Sequence, residues 1–268
     1  MQKIININSI FLSHEGEGIH LGKAQIFIRV QGCSLKCKNC DTPEALSFKN
    51  NKIFTIEEIL EEINKINKKY KLINKRISIT GGDPLDPSHK DAILDLIKVL
   101  KKKKYFINIE AAGNVINPQI FNLVDSISFD YKTPSAVSVN RRETLKSLSA
   151  LPAVPALDLL KKLFLNKKYR DKLQIKSVIE SKKDFLYVYS SYLQLSNSLL
   201  SSHPSHSSKN INLVNWILTP SYSLKMSESD FKKKFDKIFR WNLTLAGGAF
   251  RVIGQQHKWV YGTRKKNV

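Results

Sequence analysis

Every cysteine of this chain falls within eight positions: Cys33, Cys37 and Cys40 lie in the stretch Gly32-Cys-Ser-Leu-Lys-Cys-Lys-Asn-Cys-Asp-Thr42. The C-x3-C-x2-C spacing lets three thiolates converge from one short loop onto an inorganic centre. A fourth cysteine is absent. That absence is informative for a [4Fe-4S] cluster, because three thiolates leave one iron open to a small-molecule ligand, whereas a purely electron-carrying cluster is usually closed by four. The competing readings are a zinc loop completed by a distant histidine, or three ordinary thiols. Structural zinc normally draws on paired C-x2-C units, which this spacing does not supply. Three cysteines so close together make no disulfide framework, and they fit a reducing compartment in which thiolates serve as metal ligands.

Composition sets the remaining limits. A chain of 268 residues with a 42% apolar share has room for one large domain or two small ones with a substantial core. Its N-terminus lacks a basic start followed by an apolar run, and no segment approaches about 18 uninterrupted apolar residues. A cytoplasmic, non-membrane protein is expected. The net charge of +21, from 44 Lys and Arg against 23 Asp and Glu, would suit a polyanion such as RNA. The lysines, however, are dispersed among Ile and Asn. Only Lys101 to Lys104 and Arg264-Lys265-Lys266 form runs, and the first is placed at a helix C-terminus, where cations favour the dipole. Nucleic acid is therefore not the expected partner.

Taken in order, residues 4–13 read as extended and lead into a loop, Ser13-His14-Glu15-Gly16-Glu17-Gly18, in which Glu17 offers a pair of acceptors to a guanidine-like edge. Ala24 to Gln31 reads as the strand that delivers the cysteine loop, with Arg29 near its end. Thr55 and Glu58 make a capping box ahead of a helix with Ile56, Ile59, Leu60, Ile63 and Ile66 on one face. A strand at Ile77 to Thr80 runs into Gly81-Gly82-Asp83. A helix at Ser88 to Leu100, with Ile93, Leu94, Ile97 and Leu100 inward, is followed by a strand from Tyr105 to Ile109 ending at Glu110. Another strand, Ser126 to Phe129, ends in Asp130-Tyr131-Lys132. Four successive strands thus finish in polar or glycine clusters, and in parallel α/β sheets ligands lie at that carboxyl end. An irregular helical insertion or cap is expected over about 136–172. Further on come a strand at Gln174 to Ile179, a helix at Asp184 to Leu195, and a Ser/His-rich loop over about 196–209 that includes His203 and His206. A strand at Asn215 to Leu218, a helix from Ser227 with Phe231, Phe235, Ile238 and Phe239 inward, and a strand at Ala249 to Gly254 complete the pattern. The fold class is α/β, a partial (βα) barrel with a mostly parallel sheet, built as a single domain over 1–268.

The cysteine spacing resembles the signature of radical S-adenosylmethionine (SAM) enzymes. Ser13 to Gly18, Phe27-Ile28-Arg29, Gly32-Cys33, Cys40-Asp41-Thr42, Thr80 to Pro84, Lys132 to Ser135 and Gln255-Gln256-His257-Lys258 together resemble the 7-carboxy-7-deazaguanine synthase family over nearly the whole chain. The resemblance implies conversion of 6-carboxy-5,6,7,8-tetrahydropterin to 7-carboxy-7-deazaguanine with loss of ammonia, on the way to queuosine and archaeosine. It also implies a [4Fe-4S] cluster on Cys33, Cys37 and Cys40, and magnesium at Thr42. Asn39, Asp41, Gly82, Asp83, Asp130, Tyr131 and Lys132 would then meet SAM. Substrate falls to His14, Glu15, Gly16, Glu17, Arg29, Thr80 and His257, with Glu17 as the candidate base. A flavodoxin or ferredoxin as electron donor and a homodimer are further implications.

The sequence departs from the family pattern at several of these positions. Glu15 stands for Gln, Asn39 for an aromatic residue, Asp83 for Glu, and Asp130 for Ser, while Ala111-Ala112-Gly113 replaces a more polar segment. Together these leave room for a related substrate. The readings to be discriminated are a glycyl-radical-activating enzyme, which shares the cysteine spacing but acts on a large protein, and a basic RNA-binding module with a structural metal.

Overall fold

The computed structural model describes residues 3–35, 37–49, 52–136, 157–202, 215–223, 226–262 and 267. The chain divides into two compact units. One comprises Met1–Ser34, Thr42–Phe129 and Gln255–Val268, the other Leu35–Asp41 and Asp130–Gly254.

In the first unit, strands β1 (Ile4–His14), β2 (Ala24–Val30), β3 (Lys52–Thr55), β4 (Arg76–Gly81), β5 (Phe106–Ala111) and β6 (Ser126–Asp130) lie in the order β3-β1-β2-β4-β5-β6. β1 runs antiparallel to both β2 and β3, and β2, β4, β5 and β6 are mutually parallel. The register follows from the two-residue period of a strand. Ile28, Ile79, Ile109 and Ile127 fall in line and are fully buried. The alternate positions, Arg29, Thr80, Glu110 and Ser128, together with Ser78 and Asn108, make the opposite face polar. The aliphatic face is the one covered by helices. α1 (Ile56–Tyr70) buries Ile59 and Ile63, α2 (Lys90–Lys102) buries Ile93, Leu96, Ile97 and Leu100, and α3 (Pro118–Leu123) buries Ile120 and Phe121. The capping box of α1 is formed as expected: Glu58 N donates to Thr55 Oγ1 at 3.2 Å and Thr55 N to Glu58 Oε2 at 2.7 Å.

In the second unit, β7 (Leu173–Ile179), β8 (Asn215–Pro220) and β9 (Arg251–Val252) are parallel neighbours. They accompany α4 (Leu157–Leu165), α5 (Lys167–Arg170), α6 (Lys182–Ser202) and α7 (Glu228–Ala246). Trp216 is the centre of an aromatic core, packed edge-on against Tyr131, Tyr192 and Phe250. Its indole N–H donates to Ser177 Oγ at 3.1 Å, which satisfies the one polar atom that burial would otherwise strand.

The mostly parallel α/β class is as expected; several local details differ. Leu96 rather than Leu94 is buried in α2. Glu110 lies inside β5 rather than after it. The last strand contracts to Arg251–Val252, and the residues beyond it form α8 (Gln256–Tyr261). Phe239 is 41% exposed, so the phenylalanine stripe of α7 is only partly core. Residues 196–202, expected as loop, continue α6. One serine there finds a partner within the helix, Ser198 Oγ donating to the Gln194 carbonyl at 2.8 Å. The expected insertion includes α4 and α5, with 137–156 outside the described residues, as are His203, His206 and the basic tail run. No described helix is long and apolar enough to cross a membrane.

His89, only 3% exposed beneath the cysteine loop, places Nε2 3.4 Å from the Gly32 carbonyl oxygen. Burial depresses its pKa below the ordinary 6.5. The unfolded chain therefore binds this proton more readily, and the stability that neutral His89 contributes is present above pH 6.5 and lost as pH falls through the depressed value. Urea unfolding across a pH series should show a shallower acid slope below pH 6.5 in His89→Gln than in the parent; superimposable slopes would assign the acid sensitivity elsewhere.

Candidate active site

The cysteine loop leaves the end of β2 through a knot of main-chain hydrogen bonds. Gly32 N donates to Ala45 O at 2.7 Å, Cys33 N to Leu46 O at 3.2 Å, Gly82 N to Val30 O at 3.0 Å, and Asp83 N to Gly32 O at 2.9 Å. The turn after β4 therefore lies backbone against backbone on the root of the cysteine loop. A Cβ at Gly82 would stand inside contact distance of the Gly32 and Ala45 carbonyl oxygens, which is why glycine is needed there. Within the second unit the loop is pinned again, by Lys38 N donating to Ala136 O at 3.0 Å and Cys40 N to Cys37 O at 3.3 Å. Cys33 is buried, Cys37 and Cys40 are half-buried, and none is in a disulfide.

Among the described residues, no three His, Cys, Asp or Glu side chains are gathered as closely as one bound ion requires. A [4Fe-4S] cluster makes a different demand, since each thiolate binds a separate iron and the three sulfurs stand further apart than the ligands of a single ion. Three thiols on one short, twice-anchored loop, without a fourth cysteine in the chain, fit a cluster with one open iron.

On the polar face of the first unit, Glu110 accepts from Ser78 Oγ at 2.6 Å and from Thr80 Oγ1 at 2.7 Å, while Asn108 Nδ2 donates to Ser78 Oγ at 3.0 Å. Arg29, in register with Thr80, donates from Nη1 to Thr42 Oγ1 at 3.1 Å and lies 5.7 Å over the Phe11 ring. The loop after β1 is closed by the far end of the chain. Gln255 Nε2 donates to Glu17 Oε1 at 2.6 Å, Gln256 N donates to Gly16 O at 3.0 Å, and the His257 imidazole lies directly over Gly16. Residues 14–18 and 255–257 thus form one structural feature from two distant stretches.

In the second unit, Asp130 is gripped by Lys132 Nζ at 2.6 Å and approached by Lys176 Nζ at 3.7 Å. Burial disfavours both charges of the Asp130–Lys132 pair, but their mutual attraction outweighs it. Asp130 is held below the ordinary carboxylate range and Lys132 above the ordinary range for lysine, with Cys37 adding to the pull on Lys132.

Comparison with known proteins now bears on this geometry. A family described as a 4Fe-4S single cluster domain matches residues 14–114. The 7-carboxy-7-deazaguanine synthase of Leptospira interrogans is 28% identical over 280 aligned positions that cover 97% of each chain. The chain is thus similar over nearly its whole length to a 7-carboxy-7-deazaguanine synthase. The enzyme of that name from Aquifex aeolicus is 35% identical over 112 residues, 42% of this chain and 47% of its own; that from Methanothermobacter thermautotrophicus is 36% identical over 141 residues, 51% and 53%. In these two alignments the chain spans about half the length of the relative. A crystal structure of QueE from Escherichia coli superposes with a TM-score of 0.52 at 18% identity, covering 95% of both chains, and shows a shared fold. The description of the matched family names a single 4Fe-4S cluster, and Cys33, Cys37 and Cys40 are the thiolates within the matched residues.

The departures from the family pattern acquire physical explanations. Glu15, in place of Gln, is buried; its carboxylate accepts from Gln25 Nε2 at 2.7 Å and from Glu17 N at 3.2 Å, so the extra charge is engaged within the loop. Asp83, in place of Glu, is 1% exposed and accepts from Leu85 N at 3.1 Å and Ala112 N at 3.4 Å, a local role suited to the shorter acid. The Tyr131 ring is committed to the aromatic core, while Asn39 and Asp41 lie on the cysteine loop and His14 is exposed. The sequence marks Glu110 only as the end of a strand and Gln255 only as part of the C-terminal motif, without the partners that the structure gives them, and it carries no signal for Lys176.

Two alanine substitutions separate the backbone constraint from the side-chain one. Gly82→Ala meets immovable carbonyls and is expected to cost about 1–3 kcal/mol in urea unfolding, with lower iron content after reconstitution. Gly16→Ala meets only the His257 ring, which can swing away; its unfolding midpoint should stay near the parent's. Equal destabilisation by both would show that Gly82 packs no more tightly than Gly16.

Proposed function

We propose that the chain converts 6-carboxy-5,6,7,8-tetrahydropterin to 7-carboxy-7-deazaguanine with loss of ammonia, in the biosynthesis of 7-deazapurines. One observation carries this reading beyond the cysteine motif. The C-terminal Gln255 to His257 segment closes over the His14 to Gly18 loop, joining the two stretches that most distinguish this family from other radical SAM enzymes. Residues 1–268 are read as a single catalytic domain, with the segment around 136–172 as its insertion.

Cys33, Cys37 and Cys40 hold the cluster, which when bound supplies the electron that cleaves SAM. Gly82 and Asp83 serve the amino end of SAM, Asn39 and Asp41 its adenosyl group, and Asp130, Tyr131 and Lys132 the remainder. Arg29 pairs with the substrate carboxylate, a planar match that lysine reproduces poorly. Glu110 orients the Thr80 hydroxyl by accepting its hydrogen bond, which leaves the Thr80 oxygen lone pairs to meet the substrate. Glu17, oriented by Gln255, is the base that moves the proton during ring rearrangement. His14, Glu15 and Gly16 shape the binding loop, and His257 excludes water from it. Thr42 is a magnesium ligand by its hydroxyl, which Arg29 already orients. The electron comes from a flavodoxin or ferredoxin, and the working form is a homodimer.

Anaerobic reconstitution with iron, sulfide, SAM, reductant and the carboxytetrahydropterin should yield the deazaguanine acid by mass analysis. SAM cleavage without that product would retain the superfamily and reject the substrate. Glu17→Gln should lower kcat by roughly 100- to 10,000-fold with little change in substrate affinity. Arg29→Lys should act mainly through a raised KM; an unchanged KM would remove Arg29 from the carboxylate.

A further inference from the structure

The mechanism above uses Lys132 and Asp130 but has no role for Lys176. This lysine lies inside β7, not at its end, and is about a quarter exposed, with 23% of its side chain accessible. Its ammonium approaches Asp130 Oδ1 at 3.7 Å, while Lys132 takes Asp130 Oδ2 at 2.6 Å. The carboxylate is therefore shared between two cations, one on each oxygen. The backbone fixes the arrangement as well: Tyr131 N donates to Lys176 O at 2.7 Å, and Ser177 Oγ donates to Tyr131 O at 2.9 Å. The segment carrying Asp130 and Lys132 is thus tied directly to the strand carrying Lys176.

The third side of this cluster is the cysteine loop. Cys37 acts on Lys132, and Asp41 acts on Asp130 in the sense opposite to the two lysines. The charged groups that face one another here are Asp41, Asp130, Lys132 and Lys176, beside a cysteine. Where Ser is common in the family, this chain carries Asp130, so a negative charge has been added next to the loop, and Lys176 stands against it. We infer that Lys176 and Asp130 are positioning residues that set the reduction potential of the cluster, Lys176 offsetting Asp130 so that Lys132 stays beside Cys37 with the net local charge preserved. The inference rests on the proposed function, in which Cys37 is a cluster ligand. The physical basis is that net charge near an iron–sulfur cluster shifts its potential, because the reduced state carries one more negative charge than the oxidised state.

The charge count gives signs that a packing role does not. Lys176→Gln removes a positive charge and should shift the midpoint potential of the reconstituted cluster to more negative values. Asp130→Asn removes a negative charge and should shift it to more positive values. The double variant should return close to the parent, and Lys176→Arg, which keeps the charge, should match the parent. The measurement is a potentiometric titration of the reconstituted protein followed by electron paramagnetic resonance, with iron and sulfide content as a check on loading. Opposite shifts that cancel in the double variant support the inference. Shifts of the same sign, or no shift in either single variant, overturn it. Where Lys176→Gln fails to hold a cluster, Asp130→Asn and Lys176→Arg decide the matter alone: a positive shift in the first with none in the second supports it, and any other pattern overturns it. Parent protein that binds no [4Fe-4S] cluster at all rejects the functional reading instead.

Discussion

Main-chain hydrogen bonding at the root of the cysteine loop is the constraint on which the rest of the site depends. Val30, Gly32, Cys33, Ala45, Leu46, Gly82 and Asp83 exchange amide and carbonyl groups across two loops that leave adjacent parallel strands. Backbone groups buried away from water must find partners, and here the Gly82 and Asp83 amides find theirs at Val30 and Gly32 while the Gly32 and Cys33 amides find theirs at Ala45 and Leu46. The geometry tolerates no side chain at Gly82, so the positions of Cys33 and of the Gly-Gly-Asp turn are fixed together. Because the knot is made of peptide groups, Asp83 can replace a longer acid without disturbing the position of Cys33.

Much of this was legible in the sequence because it is written in local signals. Strand alternation, the Thr55 and Glu58 capping box and the start of a helix near Ser227 each depend on a few neighbouring residues, and each is present. The arrangement of chemistry at strand ends follows from parallel pairing and needs no knowledge of side-chain contacts. What was not legible is equally specific. Residues 196–202 read as loop because serine is abundant there, yet the Ser198 hydroxyl bonds to its own helix. Glu110 looked like the terminus of a strand, and only the register reveals that it bonds Ser78 and Thr80 across to β4. Lys176 has no local signature at all, since its meaning depends on an aspartate 46 positions earlier (176 − 130).

Three of the departures from the family pattern share one physical theme. Glu15, Asp83 and Asp130 each place a carboxylate where a neutral or longer side chain is usual, in a chain whose net charge is +21. Glu15 is taken up by Gln25 and the Glu17 amide, Asp83 by two amides, and Asp130 by two lysines. Buried charge is tolerated when donors surround it and is costly when they do not. Absorbed in this way, the added acids leave no uncompensated charge at these positions.

The bond between Gln255 and Glu17 joins positions 238 residues apart. Contacts of such long sequence separation form late, since the entropy of closing so large a loop must be met before they are rewarded. A growing chain therefore carries its complete cysteine motif long before the contact between Gln255 and Glu17 can form. Synthesis itself imposes an order in which the three thiols are made first and the loop over 14–18 is closed only afterwards.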